Sequence, residues 1–228
     1  MTTNNWYLGK KECGKEVRMF RKIPIDRVEE VDRLQSAYFS AHKEVFDPPL
    51  QEGVPERLEK IVSMAEITRQ DYVLDVGSGT GILLPLIQGY GPKRIYANDL
   101  SKAMLELVKS RFPEVETLHG DVSRLQLPEG SIDVVFINAC YPNIQDKDAA
   151  FLNVRRMTRD GARVVISHPM GRRFLEIIKD KMPFHIDDFP VDRITAEDLF
   201  GDYGFEVEMI IDEKDLYILV LRFKQKSI

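Results

Sequence analysis

The first sign of a ligand site is a glycine-rich stretch at residues 73–81, which reads V-L-D-V-G-S-G-T-G. An apolar run that breaks into Gly77, Gly79 and Gly81 predicts a β-strand, a tight turn and the start of a helix. Glycine adopts backbone angles that a Cβ forbids, and it lets a ligand approach the main chain. Because a helix N-terminus presents free N–H groups, this loop predicts a site for a polar or anionic group.

Two acidic residues follow at the ends of the next two predicted strands. Asp99 lies about 20 residues beyond the glycines, at the position where a carboxylate accepts hydrogen bonds from ribose hydroxyls. A carboxylate suits this task because it accepts two hydrogen bonds from a cis-diol at once. Asp121 stands in a Gly-Asp-Val turn after the third predicted strand. Ligands of open parallel sheets bind beyond the carboxyl ends of the strands, so we expect both acids near the glycine loop.

Further candidates follow the fourth and fifth predicted strands. His168 has a side chain suited to taking a proton from a hydroxyl or an acidic carbon at neutral pH, which makes it a candidate catalytic base. Arg172 and Arg173 could hold a carboxylate or phosphate of an acceptor. The alternatives are that His168 caps a loop and that the arginines form a solvated face. Tyr141 either stacks on an acceptor or covers the loop.

These residues are positioned by strands that alternate with helices. The predicted strands are near-continuous apolar runs, which is typical of a parallel sheet covered on both faces. Strands are predicted over residues 72–76, 94–98, 116–119, 132–138 and 162–167, and helices over 81–89, 101–112 and 148–157. Two more strands, 205–211 and 216–223, are joined by D-E-K-D, which leaves no room for a helix and predicts an antiparallel pair at the end of the sheet.

Asp75 followed by G-x-G-x-G resembles the first motif of class I S-adenosylmethionine (SAM)-dependent methyltransferases. The dinucleotide fingerprint instead requires G-x-G-x-x-G or a final Ala, and Ile82 occupies that last position. The closing antiparallel pair also matches the sheet of the methyltransferase family. The resemblance covers about residues 50–224. It implies a Rossmann-like, doubly wound α/β fold: a mostly parallel seven-stranded sheet with an antiparallel last strand, preceded by an N-terminal helical extension.

The resemblance also implies that the site binds SAM and releases S-adenosylhomocysteine (SAH). In the family, the glycine loop wraps the amino-acid end of SAM, the acid after the second strand binds its ribose, and a Gly-Asp segment contacts its adenine. The cofactor-binding residues implied in this sequence are Asp75, Gly77, Ser78, Gly79, Gly81, Asn98, Asp99, Leu100, Asp121, Val122 and Asn138.

Methyl transfer from a sulfonium mainly requires alignment and exclusion of water, so the lack of a nucleophile or metal motif fits such an enzyme. Residues 138–142 read N-A-C-Y-P, which departs from the N-P-P-Y and D-P-P-Y motifs of DNA and protein-glutamine N-methyltransferases. We therefore expect direct in-line transfer to a small-molecule acceptor. The rival functions are a SAM-binding sensor or non-catalytic partner subunit, an RNA or protein methyltransferase, and a nicotinamide-dependent oxidoreductase.

Composition narrows the class of protein further. Hydrophobic residues make up 43% of the 228 residues, enough for a packed core, and no apolar run is long enough for a bilayer helix. A net charge of −5 argues against nucleic acid as the main partner. Cys13 and Cys140 have no metal-ligand spacing, and the first residues lack a signal-peptide core, so we expect a cytoplasmic protein without a metal site. The sequence is compatible with a monomer or a homodimer.

The chain divides into residues 1–49, an N-terminal arm and helix, and residues 50–228, the methyltransferase domain. The helix of the first part is either a lid over the site, together with residues 182–194, or a packing element. The candidate contact residues of this helix region are Tyr38, Phe39, His42 and Phe46.

Overall fold

A computed structural model describes residues 25–225 of the chain. Cys13 and about half of the predicted N-terminal arm therefore lie outside the described residues. Within the described part, no helix combines the length and the apolar character needed to cross a bilayer.

Seven strands form one sheet: β1 (Tyr72–Val76), β2 (Arg94–Asp99), β3 (Glu116–His119), β4 (Ile132–Asn138), β5 (Thr158–His168), β6 (Phe205–Glu213) and β7 (Leu216–Phe223). Their order across the sheet is β3-β2-β1-β4-β5-β7-β6. The neighbours from β3 to β5 pair in parallel, and β7 runs antiparallel to both β5 and β6. The predicted doubly wound, mostly parallel sheet is therefore confirmed.

Helices cover both faces of this sheet. They are α1 (Ile25–Ala41), α2 (Val54–Ser63), α3 (Leu84–Gly89), α4 (Lys102–Arg111), α5 (Lys147–Met157), α6 (Phe174–Ile178) and α7 (Arg193–Phe200). Successive residues of β4 alternate between two apolar layers, with Val135 and Ile137 in one and Val134 and Phe136 in the other. Burial on both faces explains why the central strands read as continuous apolar runs.

Some boundaries differ from the sequence-based expectation. Helix α3 begins at Leu84 rather than at Gly81, because the glycine loop continues as turns through Leu83. Helix α7 begins at Arg193 and so includes the last two residues of the predicted lid segment 182–194. Asp192 caps α7 by accepting a hydrogen bond from Thr195 N at 2.8 Å.

Candidate functional site

A pocket opens at the carboxyl ends of β1, β2 and β4, where the strand order reverses. This is the position at which open parallel sheets bind ligands. The glycine loop, the start of α4 and the loop after β4 line it, and α1 covers it. Seven of the predicted cofactor residues lie in its wall, namely Asp75, Gly77, Ser78, Gly79, Asp99, Leu100 and Asn138.

Two glycines of the loop differ in the space that surrounds them. Gly77 has a φ of +65°, and a Cβ at this position would overlap the side chain of Cys140. Gly79 has a φ of +54°, and no described heavy atom lies within 4 Å of the place that a Cβ would take. Because Gly79 lines the pocket, that space is open to a ligand that approaches the main chain.

The Asp99 carboxylate ties the end of β2 to the glycine loop. Its Oδ2 accepts a hydrogen bond from Gly79 N at 2.9 Å, and its Oδ1 accepts one from Ser101 N at 2.8 Å. Burial raises the pKa of Asp99, although these backbone donors oppose the shift. Each carboxylate oxygen has a second acceptor position, so Asp99 can still accept hydrogen bonds from ribose hydroxyls.

Asp75 and Ser78 bring unpaired polar atoms into the pocket wall. Their side chains are 2% and 5% exposed, respectively. Asp75 Oδ2 and Ser78 Oγ have no hydrogen-bond partner in the described part of the chain. Burial, together with the nearby Asp99 carboxylate, raises the pKa of Asp75 to about 8. Buried polar atoms are normally paired, so these two atoms mark places where a bound polar ligand would complete the hydrogen bonding.

Asn98 and Gly81, two predicted cofactor residues, have scaffold positions instead. Asn98 Nδ2 donates hydrogen bonds to Leu118 O at 2.9 Å and to Gly120 O at 2.8 Å. The Asn98 amide therefore fixes the end of β3 and does not line the pocket. Gly81 has a φ of +87° and lies against the ring of Phe112. Its role is to shape the turn before α3.

A second cavity of about 430 Å³ lies on the other side of Leu100, between α1 and the end of β3. Asp121 lines this cavity and accepts a hydrogen bond from Ser123 N at 2.9 Å, whereas Val122 is buried in the core. Asp32 of α1 also lines it. Burial, followed by the charge of Asp121, raises the pKa of Asp32 to about 7. The predicted adenine-binding segment thus faces an acid of α1 that the sequence pattern does not reveal.

Helix α1 supplies one wall of the main pocket. Gln35, Ser36 and Phe39 line it. Gln35 Nε2 donates to Asn143 O at 2.9 Å, and Ser36 Oγ donates to Leu100 O at 3.0 Å. The apolar periodicity of this helix identifies only its core face. Polar residues that recur three and four positions apart are the signal that could have identified a second, ligand-facing side.

Residues 43–47, here called the crossing segment, pass over the mouth of the pocket. Phe46 lines the pocket, and its main-chain oxygen accepts a hydrogen bond from Thr80 Oγ1 at 3.2 Å. The Asp47 carboxylate pairs with the Arg111 guanidinium through two contacts of 2.6 Å. The crossing segment is therefore attached to both the glycine loop and α4. Its interpretation as part of a lid stays a prediction.

The loop after β4 separates Asn138 from Tyr141. Asn138 lines the pocket, and its Oδ1 accepts a hydrogen bond from Ser167 Oγ at 3.0 Å. Tyr141 is only 1% exposed and stacks on Phe189, with 5.6 Å between ring centroids. The apolar core thus holds Tyr141 away from the pocket. This position favours the alternative in which Tyr141 covers the loop.

His168 lies outside both cavities. It is 6% exposed, and its ring contacts Phe174 and Phe189 at centroid distances of 5.3 and 6.0 Å. His168 Nδ1 accepts a hydrogen bond from Met170 N at 3.1 Å. Burial lowers the pKa of His168 to about 4. The geometry favours the alternative in which His168 caps the loop after β5 over a role as catalytic base.

Arg172 and Arg173 do not line the pocket either. Arg172 Nε lies 2.7 Å from Asp212 Oδ2, which pairs the loop after β5 with β6. Arg173 is exposed. The ion pair with Asp212 of β6 and the exposure of Arg173 favour the alternative in which these arginines form a solvated face.

Comparison with known proteins agrees with this geometry. Residues 74–166 match the family model described as a methyltransferase domain, a span that contains most of the glycine loop, Asp99, Asp121 and Asn138. Residues 74–166 therefore form a methyltransferase domain, and the resemblance to class I SAM-dependent methyltransferases is confirmed for this part of the chain. SAM is the cofactor of this family.

Two methyltransferases are similar in sequence to part of the chain. The malonyl-[acyl-carrier protein] O-methyltransferase of Serratia marcescens is 31% identical over 118 residues, which are 52% of this chain and 45% of the relative. The demethylmenaquinone methyltransferase of Mycolicibacterium vanbaalenii is 30% identical over 118 residues, which are 50% of each chain. The chain thus spans about half the length of these curated relatives.

A solved SAM-dependent methyltransferase structure from Aquifex aeolicus shares the fold. Its TM-score is 0.63 at 17% sequence identity, over 81% of this chain and 98% of the other. The pocket residues also fit SAM, because the unpaired Asp75 Oδ2 and Ser78 Oγ and the open space beside Gly79 lie on one wall. These atoms can receive the polar amino-acid end of the methyltransferase cofactor.

Proposed function

We propose that this protein transfers the methyl group of SAM to a small-molecule acceptor by direct in-line displacement. The observation that supports this proposal is the set of charged side chains that line the pocket. Asp75 and Asp99 line it, whereas no Lys, Arg or His among the described residues does so. SAM carries a sulfonium and an ammonium group, which carboxylates attract. A nicotinamide dinucleotide would bring its pyrophosphate to a pocket with two acidic side chains and no basic one, so this lining disfavours an oxidoreductase.

Different residues of the two cavities would hold different parts of the cofactor. In this proposal Asp75, Ser78 and the glycine loop hold the amino-acid end of the cofactor, Asp99 holds the ribose hydroxyls, and Asp121 faces the nucleobase. Bound SAM supplies an activated methyl group. Helix α1 and the crossing segment contribute alignment and exclusion of water, which are the main requirements of this chemistry.

A small-molecule acceptor is supported by the covered shape of the pocket, which lies beneath α1 rather than on a flat surface. The two sequence relatives are named for different acceptors, a malonyl-acyl carrier protein and demethylmenaquinone, so neither name is transferred here. A net charge of −5 supports the exclusion of nucleic acid as acceptor. The free, partly buried Cys140 thiol supports a cytoplasmic location.

Calorimetric titration with SAM and SAH tests the cofactor part of the proposal. We expect micromolar binding of both by the wild type. Asp99→Ala removes the ribose acceptor and should weaken binding by about 10- to 100-fold, the equivalent of one or two charge-assisted hydrogen bonds. Asp215→Ala removes an exposed acid from the turn between β6 and β7 and is the matched control.

Three results would count against this function. Unchanged SAM affinity in Asp99→Ala would remove the ribose assignment. Binding of NADH in place of SAM would revive the oxidoreductase. Tight SAM binding without SAH formation, in the presence of broad pools of small-molecule acceptors, would favour the sensor or partner subunit.

A further inference from the structure

The part of the pocket between α1 and the loop after β4 is where an acceptor would meet the methyl donor, so this inference rests on the proposed function. Its polar surface consists of neutral amides. Gln35 Nε2 donates to Asn143 O at 2.9 Å, and Asn143 Nδ2 donates to Ala139 O at 3.4 Å. The Asn138 amide lies beside them in the pocket wall. Such groups exchange hydrogen bonds with hydroxyl and carbonyl groups but neutralise no charge.

No positively charged side chain among the described residues lines this pocket. The acidic side chains that line it are those of Asp75 and Asp99. A carboxylate or phosphate that entered would lose its hydration and meet no basic side chain of the described residues in the wall. Burial of an unpaired charge is strongly unfavourable, so the pocket selects against anionic acceptors.

Two basic side chains that follow β4 and β5 in sequence are held by other partners. Lys147 Nζ donates to Ile144 O at 2.7 Å and lies 2.5 Å from Asp187 Oδ2. Arg172 is paired with Asp212. An anionic acceptor could recruit either side chain only by breaking these existing contacts.

Aromatic rings form the apolar side of the acceptor region. Phe39 and Phe46 line the pocket, with 5.6 Å between their ring centroids. Phe184 lies behind Phe39 at a centroid distance of 5.9 Å. Flat rings of this kind pack well against another ring. We propose that the acceptor is an uncharged molecule with an apolar ring, whose polar groups are hydroxyl or carbonyl groups.

A pair of probes that differ only in charge tests this proposal. The SAH-loaded wild-type protein is titrated with 2-naphthamide and with 2-naphthoate, which share a ring and nearly the same shape. We expect the neutral amide to bind at least about 10-fold more tightly than the carboxylate, because only the carboxylate brings an unpaired charge.

Asn143→Lys introduces a cation at the pocket wall and should shift the preference towards 2-naphthoate. Leu152→Lys adds the same charge at a 53% exposed position of α5, outside the pocket, and should leave the preference unchanged. Thermal unfolding of both variants shows whether they remain folded.

Equal or tighter binding of 2-naphthoate by the wild type would overturn the proposal, and so would binding of neither probe, since a ring-binding pocket should retain the amide. Failure to load SAH is a different outcome. It would contradict the methyltransferase function itself, and the first titration step detects it.

Discussion

Asp75 holds a proton at neutral pH in the absence of ligand, because burial and Asp99 raise its pKa to about 8. A cationic ligand favours the ionised carboxylate and therefore lowers this pKa on binding. We expect SAM binding at pH 7 to release up to about one proton, and this release should fall towards zero above about pH 9, where the free carboxyl is already ionised. Calorimetry in two buffers with different heats of ionisation measures the proton count.

Asp75→Asn provides the comparison for this experiment. The asparagine side chain has no such proton to release. The titration of this variant therefore reports only the protons that the ligand itself exchanges. The same proton count in Asp75→Asn and wild type would show that Asp75 does not ionise on binding.

Gly77 illustrates how closely the glycine loop approaches the loop after β4. An alanine at this position would have to keep the positive φ, and its Cβ would overlap Cys140. Gly77→Ala should therefore lower the free energy of unfolding by about 2–4 kcal/mol. Cys140→Gly removes the overlap but not the backbone strain. In a double-mutant cycle, urea unfolding should therefore show a favourable coupling of about 1–2 kcal/mol. Simple additivity would mean that Cys140 is not the obstacle.

At the level of elements, the crossing segment joins α1 to α2 over the pocket mouth. Its Asp47–Arg111 ion pair is partly exposed and should contribute no more than about 1 kcal/mol to global stability. Under the predicted role of this segment as part of a lid, Arg111→Ala should nevertheless accelerate SAH release about 3- to 10-fold, because it frees the segment from α4. Stopped-flow displacement measures this rate.

Arg94→Ala is the control for this rate, because it removes the exposed Arg94–Glu116 ion pair between β2 and β3, outside the main pocket. An equal acceleration in both variants would exclude a specific role of the crossing segment in retaining the ligand.

The segment after α6 is anchored to α5 by a buried lysine. Lys147 is 2% exposed, and burial lowers its pKa, while Asp187 opposes the shift. Asp187→Ala leaves the ammonium buried without its counter-charge and should cost about 3 kcal/mol in urea unfolding. Lys147→Met should cost only about 1 kcal/mol, because Asp187 is 40% exposed and water can solvate it. A larger loss of stability in Lys147→Met than in Asp187→Ala would contradict this reasoning.

On the scale of the whole molecule, stability is expected to be uneven. Strands β4 and β5 are central and buried on both faces, whereas α1 meets the rest of the chain along one side. Hydrogen exchange should be slowest in β4 and β5 and faster in α1. SAH should slow exchange in α1 more than in β6 and β7, because α1 lines the pocket. Uniform slowing across the chain would argue against α1 as a pocket wall.

The sequence predicts the fold better than the site, for a physical reason. Strands buried on both faces are continuous apolar runs, so β1, β4 and β7 have the bounds expected from the sequence. Residue types at strand ends indicate proximity to the pocket but not side-chain direction. Neighbouring side chains of a strand point to opposite faces, so Asp99 reaches the pocket while Asn98 turns towards β3.

The same limit of sequence-based prediction applies to His168 and to the pocket wall that α1 forms. The expectation for His168 followed from its strand end alone, and its direction into the aromatic core depends on Phe174 and Phe189. Gln35 and Ser36 enter the pocket through contacts with residues 108 and 64 positions away, respectively. No local pattern encodes such long-range neighbours.

This separation along the chain also sets an order of events during synthesis. Helix α1 leaves the ribosome before Leu100 and Asn143, its hydrogen-bond partners, have been translated. At about 5–20 residues per second, the helix waits roughly 5–20 s for the surface on which it docks. During that interval Phe39 and Phe46 have no pocket to line, and they are exposed to chaperones that recognise apolar side chains. Helix α1 therefore cannot reach its final position until the chain has been translated beyond Asn143.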